Sequence, residues 1–130
     1  DQIRSLGIQD KLTLMGKVSN IYDLYSLYSF KVLTSRYEGF PMTLLEASAN
    51  GLPMISFDIE TGPNEIIDDG VNGYLVSPND EDAMLLAISK MISNDEQRVR
   101  MSIESAKKSR CFQIEEICEQ WCALFNKILR

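Results

Sequence analysis

The sequence predicts an α/β fold, a parallel sheet with helices on both faces, and three observations carry that prediction. Short β-like runs alternate with helical patterns over residues 11–92. The connections between them are short, which in such an alternation implies right-handed crossovers and a sheet covered on both sides. The chain has 130 residues, 45% of them hydrophobic, enough for one domain around one core.

The elements follow in order. KLTLM (11–15) reads as a strand closed by Gly16. Asn20 suits the N-cap of a helix through IYDLYSLY (21–28), with Ile21, Leu24, Tyr25 and Tyr28 on one face. FKVLTS (30–35) is a second strand, and 41–50 is helical up to a stop at Gly51. PMISFD (53–58) is a third strand, and a short helix from Pro63 ends near Asp68-Asp69-Gly70. GYLVS (73–77) is a fourth strand.

Beyond it the pattern is helical. Asn79 or Asp80 is placed to cap a helix to about Ile92, and Asp95 to start another to about Ser109. A final helix over 113–127 carries an apolar stripe of Ile114, Ile117, Trp121, Leu124, Phe125 and Ile128, with Trp121 expected in packing. No repeat or linker divides the chain, so residues 1–130 form one domain. The opening DQIRSLGIQDKL resembles the tail of a helix and lacks an initiator Met, so the chain is expected to be a fragment.

Composition narrows the function. Lys and Arg total 13 against 19 Asp and Glu, a formal charge of −6. That argues against a nucleic-acid binder, but not against a phosphate ligand, which backbone amides hold without net charge. Histidine is absent, which removes His triads and His-metal sites. Cys111, Cys118 and Cys122 form no CxxC and are odd in number. They read as small buried apolar residues in a reducing compartment. No apolar run approaches the roughly 18 residues of a membrane span, and no signal peptide is visible.

The candidate site lies in EGFPMTLLE, residues 38–46, directly after the second strand. Ligands of open α/β sheets bind at the carboxyl ends of strands. Pro41 suits the first helical position, and Phe40 before it supplies no capping side chain. The amides of Met42, Thr43 and Leu44 are then expected to point outward unpaired, with the positive end of the helix dipole behind them. Such amides suit a phosphate, and Gly39 permits close approach. The design recurs after the third strand, where Gly62 precedes Pro63, and two such starts on neighbouring strands are expected to line one crevice. Glu46 suits a ribose diol, and Glu38 the hydroxyls of a group beyond the phosphates. From spacing alone, both acids are equally compatible with solvated or ion-paired surface charges.

With these residues in view, the sequence resembles a known family. EGFPMTLLE with the following ASANGLPMISFD resembles the E-x7-E segment of retaining, GT-B-fold glycosyltransferases of the glycosyltransferase 4 type. MGKVSNIYDLY and TGPNEIIDDGVNGYLV resemble flanking segments of that family in the expected order. The similarity runs from about Leu12 to Ile92 and more weakly to the final helix.

The resemblance implies a Rossmann-like parallel sheet flanked by helices, the C-terminal half of a GT-B fold truncated at its N-terminal side. It implies that Glu38 contacts donor-sugar hydroxyls near the reacting carbon and that Glu46 holds the nucleotide ribose. Met42 and Thr43 match positions whose amides contact the diphosphate, and Gly16, Lys17 and Val18 a loop beside the base. The donor-binding set is thus Gly16, Lys17, Val18, Glu38, Gly39, Phe40, Pro41, Met42, Thr43, Leu44, Glu46 and Gly62, with Glu38 as the catalytic residue and no metal ligand.

The implied activity is transfer of a sugar from a nucleotide-diphosphate sugar with retention and without a metal or other cofactor. A UDP-sugar is favoured, with GDP-mannose next. The acceptor is a glycan or lipid-linked molecule, as in bacterial surface polysaccharide synthesis. That work is cytoplasmic, with peripheral association at the inner face of the membrane. An N-terminal acceptor domain and upstream basic residues for the diphosphate are expected outside this chain, so the fragment alone is expected to be inactive. Arg36 and Lys17 are nearby basic candidates that read first as surface charges.

Thr34, Asn20 and Ser48 depart from the family's common Pro, Asp and Met. Two rival readings are a non-catalytic nucleotide-sugar-binding or interaction module, and another GT-B enzyme such as a nucleotide-sugar epimerase or an inverting transferase. The latter tend to rely on a His, which is absent. A flavodoxin-like signalling domain lacks its acidic cluster here.

Overall fold

The computed structural model describes residues 2–129. The helix α1 (Gln2–Ser5) opens it, followed by α2 (Ile21–Tyr25), β1 (Lys31–Leu33), α3 (Met42–Ala49), β2 (Met54–Phe57), α4 (Pro63–Ile66) and β3 (Gly73–Val76). Helices α5 (Glu81–Ser93) and α6 (Asp95–Ser109), a 3₁₀ turn (Arg110–Phe112) and α7 (Ile114–Ile128) complete it. The strands form one parallel sheet in the order β1-β2-β3, with Val32 opposite Ile55 and Ile55 opposite Tyr74.

Every residue of the central strand β2 is buried. Because successive side chains point to opposite faces, Ile55 and Phe57 join Val76, Met84, Ala87, Met91 and Met101 in one apolar cluster. Met54 joins Tyr25, Leu44, Ala47, Leu52, Ile66 and Ile67 in the other. Thus α5 covers one face, and α3 with α4 the other. Helix α6 ties them together: Met101 lies in the first cluster, while the Ser105 hydroxyl donates to Leu52 O at 2.8 Å and its carbonyl accepts from Ser48 Oγ at 2.8 Å. Ser48, a departure from the family pattern, is therefore a buried bridge between α3 and α6. At the start of β3 a Cβ on Gly73 would stand 2.1 Å from Met54 O, so only glycine lets the strands pair there.

The caps of α5 and α6 come from Asp80 and Asn94, whose side chains accept from Ala83 N at 2.8 Å and Gln97 N at 2.9 Å. Asn79 is not the cap.

Five expectations fail. Residues 11–15 form no strand: a strand needs a hydrogen-bonded neighbour, none lies beside this segment among the described residues, and Leu14 is 79% exposed. Helix α2 stops at Tyr25 rather than running to 28, and Asn20 makes no side-chain cap; its amide donates to the Asp23 carboxylate. All three cysteines are exposed rather than buried. They lie in or beside α7, whose apolar stripe is largely uncovered among the described residues: Trp121 is 54% exposed and its ring partner is Phe125 of its own helix.

Candidate functional site

The segment after β1 meets α3 through a tight turn. Pro41 has φ −78° and ψ 82°, the inverse γ conformation, so the Met42 N–H donates back to Phe40 O at 2.9 Å. Pro41 therefore stands just before the helix, not at its first position. Leu44 N donates to Pro41 O at 2.8 Å. Of the three amides expected to be unpaired, only that of Thr43 lacks an acceptor among the described residues. The Leu44 side chain is wholly buried in the core.

The second helix start lies against the first. Gly62 has φ +100°, a conformation that side-chain-bearing residues rarely adopt, and Pro63 is the first residue of α4. A Cβ on Gly62 would stand 2.3 Å from Pro41 Cδ. The Thr61 hydroxyl donates to Glu38 O at 2.6 Å, a second tie between the two loops. The two helix starts are thus in direct contact at the carboxyl ends of β1 and β2.

The two acids differ in their surroundings. Both are half-buried. Glu46, one turn into α3, accepts from the Tyr25 hydroxyl on Oε2 at 3.2 Å, and the same hydroxyl lies 3.4 Å from Thr43 O. Burial first, and then the Glu46 charge and hydrogen bond with a smaller effect of Tyr22, push the Tyr25 phenol up to about 12 from its ordinary 10.0. The Glu38 carboxylate has no partner among the described residues, although its carbonyl is held by Thr61. Between the acids, an added Cβ on Gly39 would meet nothing within 4 Å, so this stretch of backbone is open to approach. Phe40 packs on Phe112 with ring centroids 5.8 Å apart, which fastens the turn to the base of α7.

Gly16 and Lys17 are exposed and Val18 half-buried, and no hydrogen bond among the described residues joins them to α3. Arg36 is exposed and, with Thr34, Phe57 and Glu81, borders a cavity of about 400 Å³ beside α5. Among the described residues no group of three or more His, Cys, Asp or Glu is arranged to hold a metal ion, and no helix is long and apolar enough to cross a membrane.

Sequence reasoning missed Tyr25, Thr61 and Phe112 as parts of this site. Tyr25 did leave a signal, a phenol beside Ile21 and Leu24 on the helix face expected to pack inward, whose hydroxyl needs a partner when buried.

A parallel α/β layer in which two loop-to-helix turns meet at the carboxyl ends of adjacent strands has the geometry in which open α/β sheets bind ligands. The chain belongs to the group 1 glycosyl transferases, whose family pattern it matches over residues 1–108. Its fold is that of the C-terminal domain of GT-B glycosyltransferases.

An exopolysaccharide phosphotransferase of Streptomyces coelicolor is 38% identical over 129 residues, covering 98% of this chain and 14% of that protein. The lipopolysaccharide 1,6-galactosyltransferase of Escherichia coli is 35% identical over 117 residues, 84% of this chain and 33% of that protein. Among solved structures, the pneumococcal O-GlcNAc transferase GtfA in complex with UDP and GlcNAc superposes with a TM-score of 0.82 at 29% identity, over 99% of this chain and 26% of that one. The chain thus spans between 14% and 33% of the length of these proteins.

Proposed function

We propose that residues 1–130 are the donor-binding domain of a retaining glycosyltransferase of the glycosyltransferase 4 type, with a UDP-sugar as donor. One observation carries the reading: two helix starts locked together through Gly62 and Pro41, flanked by Glu38 and Glu46, beside the open backbone of Gly39. The UDP in the pneumococcal relative's complex and the galactosyl transfer in the Escherichia coli relative's name favour a UDP-hexose or UDP-N-acetylhexosamine.

In this reading the diphosphate lies at the start of α3, against the Thr43 amide and the helix dipole, and the Met42 amide exchanges its γ-turn bond for a phosphate oxygen. Glu46 receives the ribose diol. Glu38 orients the donor-sugar hydroxyls and stabilises positive charge as the oxocarbenium-like state forms. Gly16, Lys17 and Val18 border the base. The bond from the anomeric carbon to the β-phosphate oxygen breaks while the acceptor oxygen bonds to that carbon on the same face. The acceptor's proton passes to an oxygen of the leaving diphosphate.

No metal or other cofactor is assigned to this reaction, and the diphosphate charge is offset by amides and basic side chains. The acceptor, a glycan or lipid-linked molecule of surface polysaccharide synthesis, binds a further domain of the full-length protein, which works in the cytoplasm and at the inner membrane face.

A second reading is a nucleotide-sugar-binding module within a protein of another activity. The Streptomyces coelicolor relative favours it, because a protein named a phosphotransferase shares this domain.

Titration of UDP, GDP and ADP into the full-length protein tests the donor site. UDP is expected to bind in preference to the others, and Glu46→Ala to weaken it by more than tenfold, as loss of charge-assisted hydrogen bonds does. Absence of binding by all three at millimolar concentration rejects both readings. Binding without sugar transfer to any glycan acceptor favours the second.

A further inference from the structure

We propose that Tyr25 is a positioning residue of this donor site, holding the Glu46 carboxylate in the orientation that receives the ribose diol of a nucleoside diphosphate. The inference rests on the donor-site reading above.

Tyr25 ends α2, and its ring is 4% exposed, packed in the cluster with Leu44, Ala47 and Leu52. A ring so enclosed gives its hydroxyl one location. That location is the first turn of α3, 3.2 Å from Glu46 Oε2 and 3.4 Å from Thr43 O. Both acceptors belong to the stretch that holds the donor, one through its side chain and one through the residue whose amide is free.

The geometry divides the carboxylate. Oε2 is engaged by the phenol, and Oε1 has no partner among the described residues. A glutamate on a helix surface otherwise explores several rotamers, and freezing them on binding weakens affinity. With Oε2 pinned in advance, Oε1 is presented to the ligand before the ligand arrives. The phenol, pushed up to about 12, remains a donor throughout neutral pH, so the arrangement does not switch off. A buried phenol that has merely found a nearby acceptor would show the same distances but no preference for ligands bearing a diol.

That difference is measurable. UDP and 2′,3′-dideoxyuridine diphosphate are titrated calorimetrically into the full-length protein as wild type, Tyr25→Phe and Glu46→Ala. The Phe variant keeps the ring in the core, and melting curves verify that each variant is folded. Tyr25→Phe is expected to weaken UDP by about five- to tenfold, the worth of one hydrogen bond to a charged group, and to leave the dideoxy analogue unchanged. Equal losses for both ligands make Tyr25 structural and overturn the proposal. So does unchanged UDP affinity in Tyr25→Phe while Glu46→Ala still weakens it. If Glu46→Ala itself leaves UDP binding intact, the donor-site reading fails, and the positioning role with it.

Discussion

At α3, the apolar positions Leu44 and Ala47 are fully buried, and the turn before them is pinned by Gly62, Thr61 and Phe112. Along α7, the stripe from Ile114 to Ile128 has the stronger helical periodicity, yet all its large side chains except the half-buried Ile117 are exposed among the described residues. The difference shows that periodicity fixes which face of a helix is apolar, not what covers it. Helix α3 is covered because β1 and β2, its neighbours in sequence, are its neighbours in space, and because α6 packs back across it. Helix α7 follows the last strand by two helices, and no strand-to-helix connection directs its face onto the sheet.

The largest expected effect breaks the pinned region. Gly62→Ala places a Cβ 2.3 Å from Pro41 Cδ at a backbone φ of +100°. Strain and overpacking together are expected to cost about 3 kcal/mol, read as a lowered denaturant midpoint. Gly39→Ala is the control: its Cβ meets nothing within 4 Å, so stability is expected to change by no more than about 0.5 kcal/mol. Equal losses in the two variants would mean that the helix starts are not held together through Gly62.

A smaller effect concerns the link between α2 and α3. The Tyr25 phenol is held up to about 12 in the folded chain and ionises at its ordinary 10.0 when unfolded. Between those values the native state keeps a proton that the unfolded state has lost, so stability falls as pH rises through this window and the contribution is fully present below it. The titratable groups acting on the phenol are Glu46 and Tyr22. Urea unfolding at pH 9 and pH 11 is expected to show a drop up to roughly 1.3 kcal/mol greater in the wild type than in Tyr25→Phe. An identical pH dependence in the two proteins would remove the Tyr25–Glu46 hydrogen bond from the account of the site.

The sequence made the sheet legible because each strand is an apolar run ending in a turn. FKVLTS, PMISFD and GYLVS contain β1, β2 and β3. KLTLM has the same local character and forms no strand, since strand identity also requires a partner that local character does not encode. The contact of the two helix starts was legible from their repeated Gly-Phe-Pro and Gly-Pro design and the parallel order of the strands. The state of the amides was not, because it depends on the ψ of Pro41, which turns the Met42 N–H back onto Phe40. Nor was the hydrogen bond from Tyr25 to Glu46, which joins residues 21 apart on two helices and exists only once both pack on Met54.

The smallest expected effect sharpens the other side of the comparison. Trp121 sits mid-stripe on α7 and is 54% exposed, with Phe125 of the same helix as its ring partner. Replacing an exposed apolar side chain away from a core changes stability by at most about 0.5 kcal/mol, whereas truncating a wholly buried leucine costs about 3 kcal/mol. In this chain Trp121→Gln is therefore expected to leave the unfolding midpoint nearly unchanged while Leu44→Ala lowers it strongly. The same pair measured in the full-length protein reads out what the exposed stripe does there. If Trp121→Gln then costs as much as Leu44→Ala, the stripe is core in the complete molecule, and its exposure here marks the surface on which the rest of that molecule packs. If the cost stays small, the stripe is a free surface, and its periodicity reflects the helix alone.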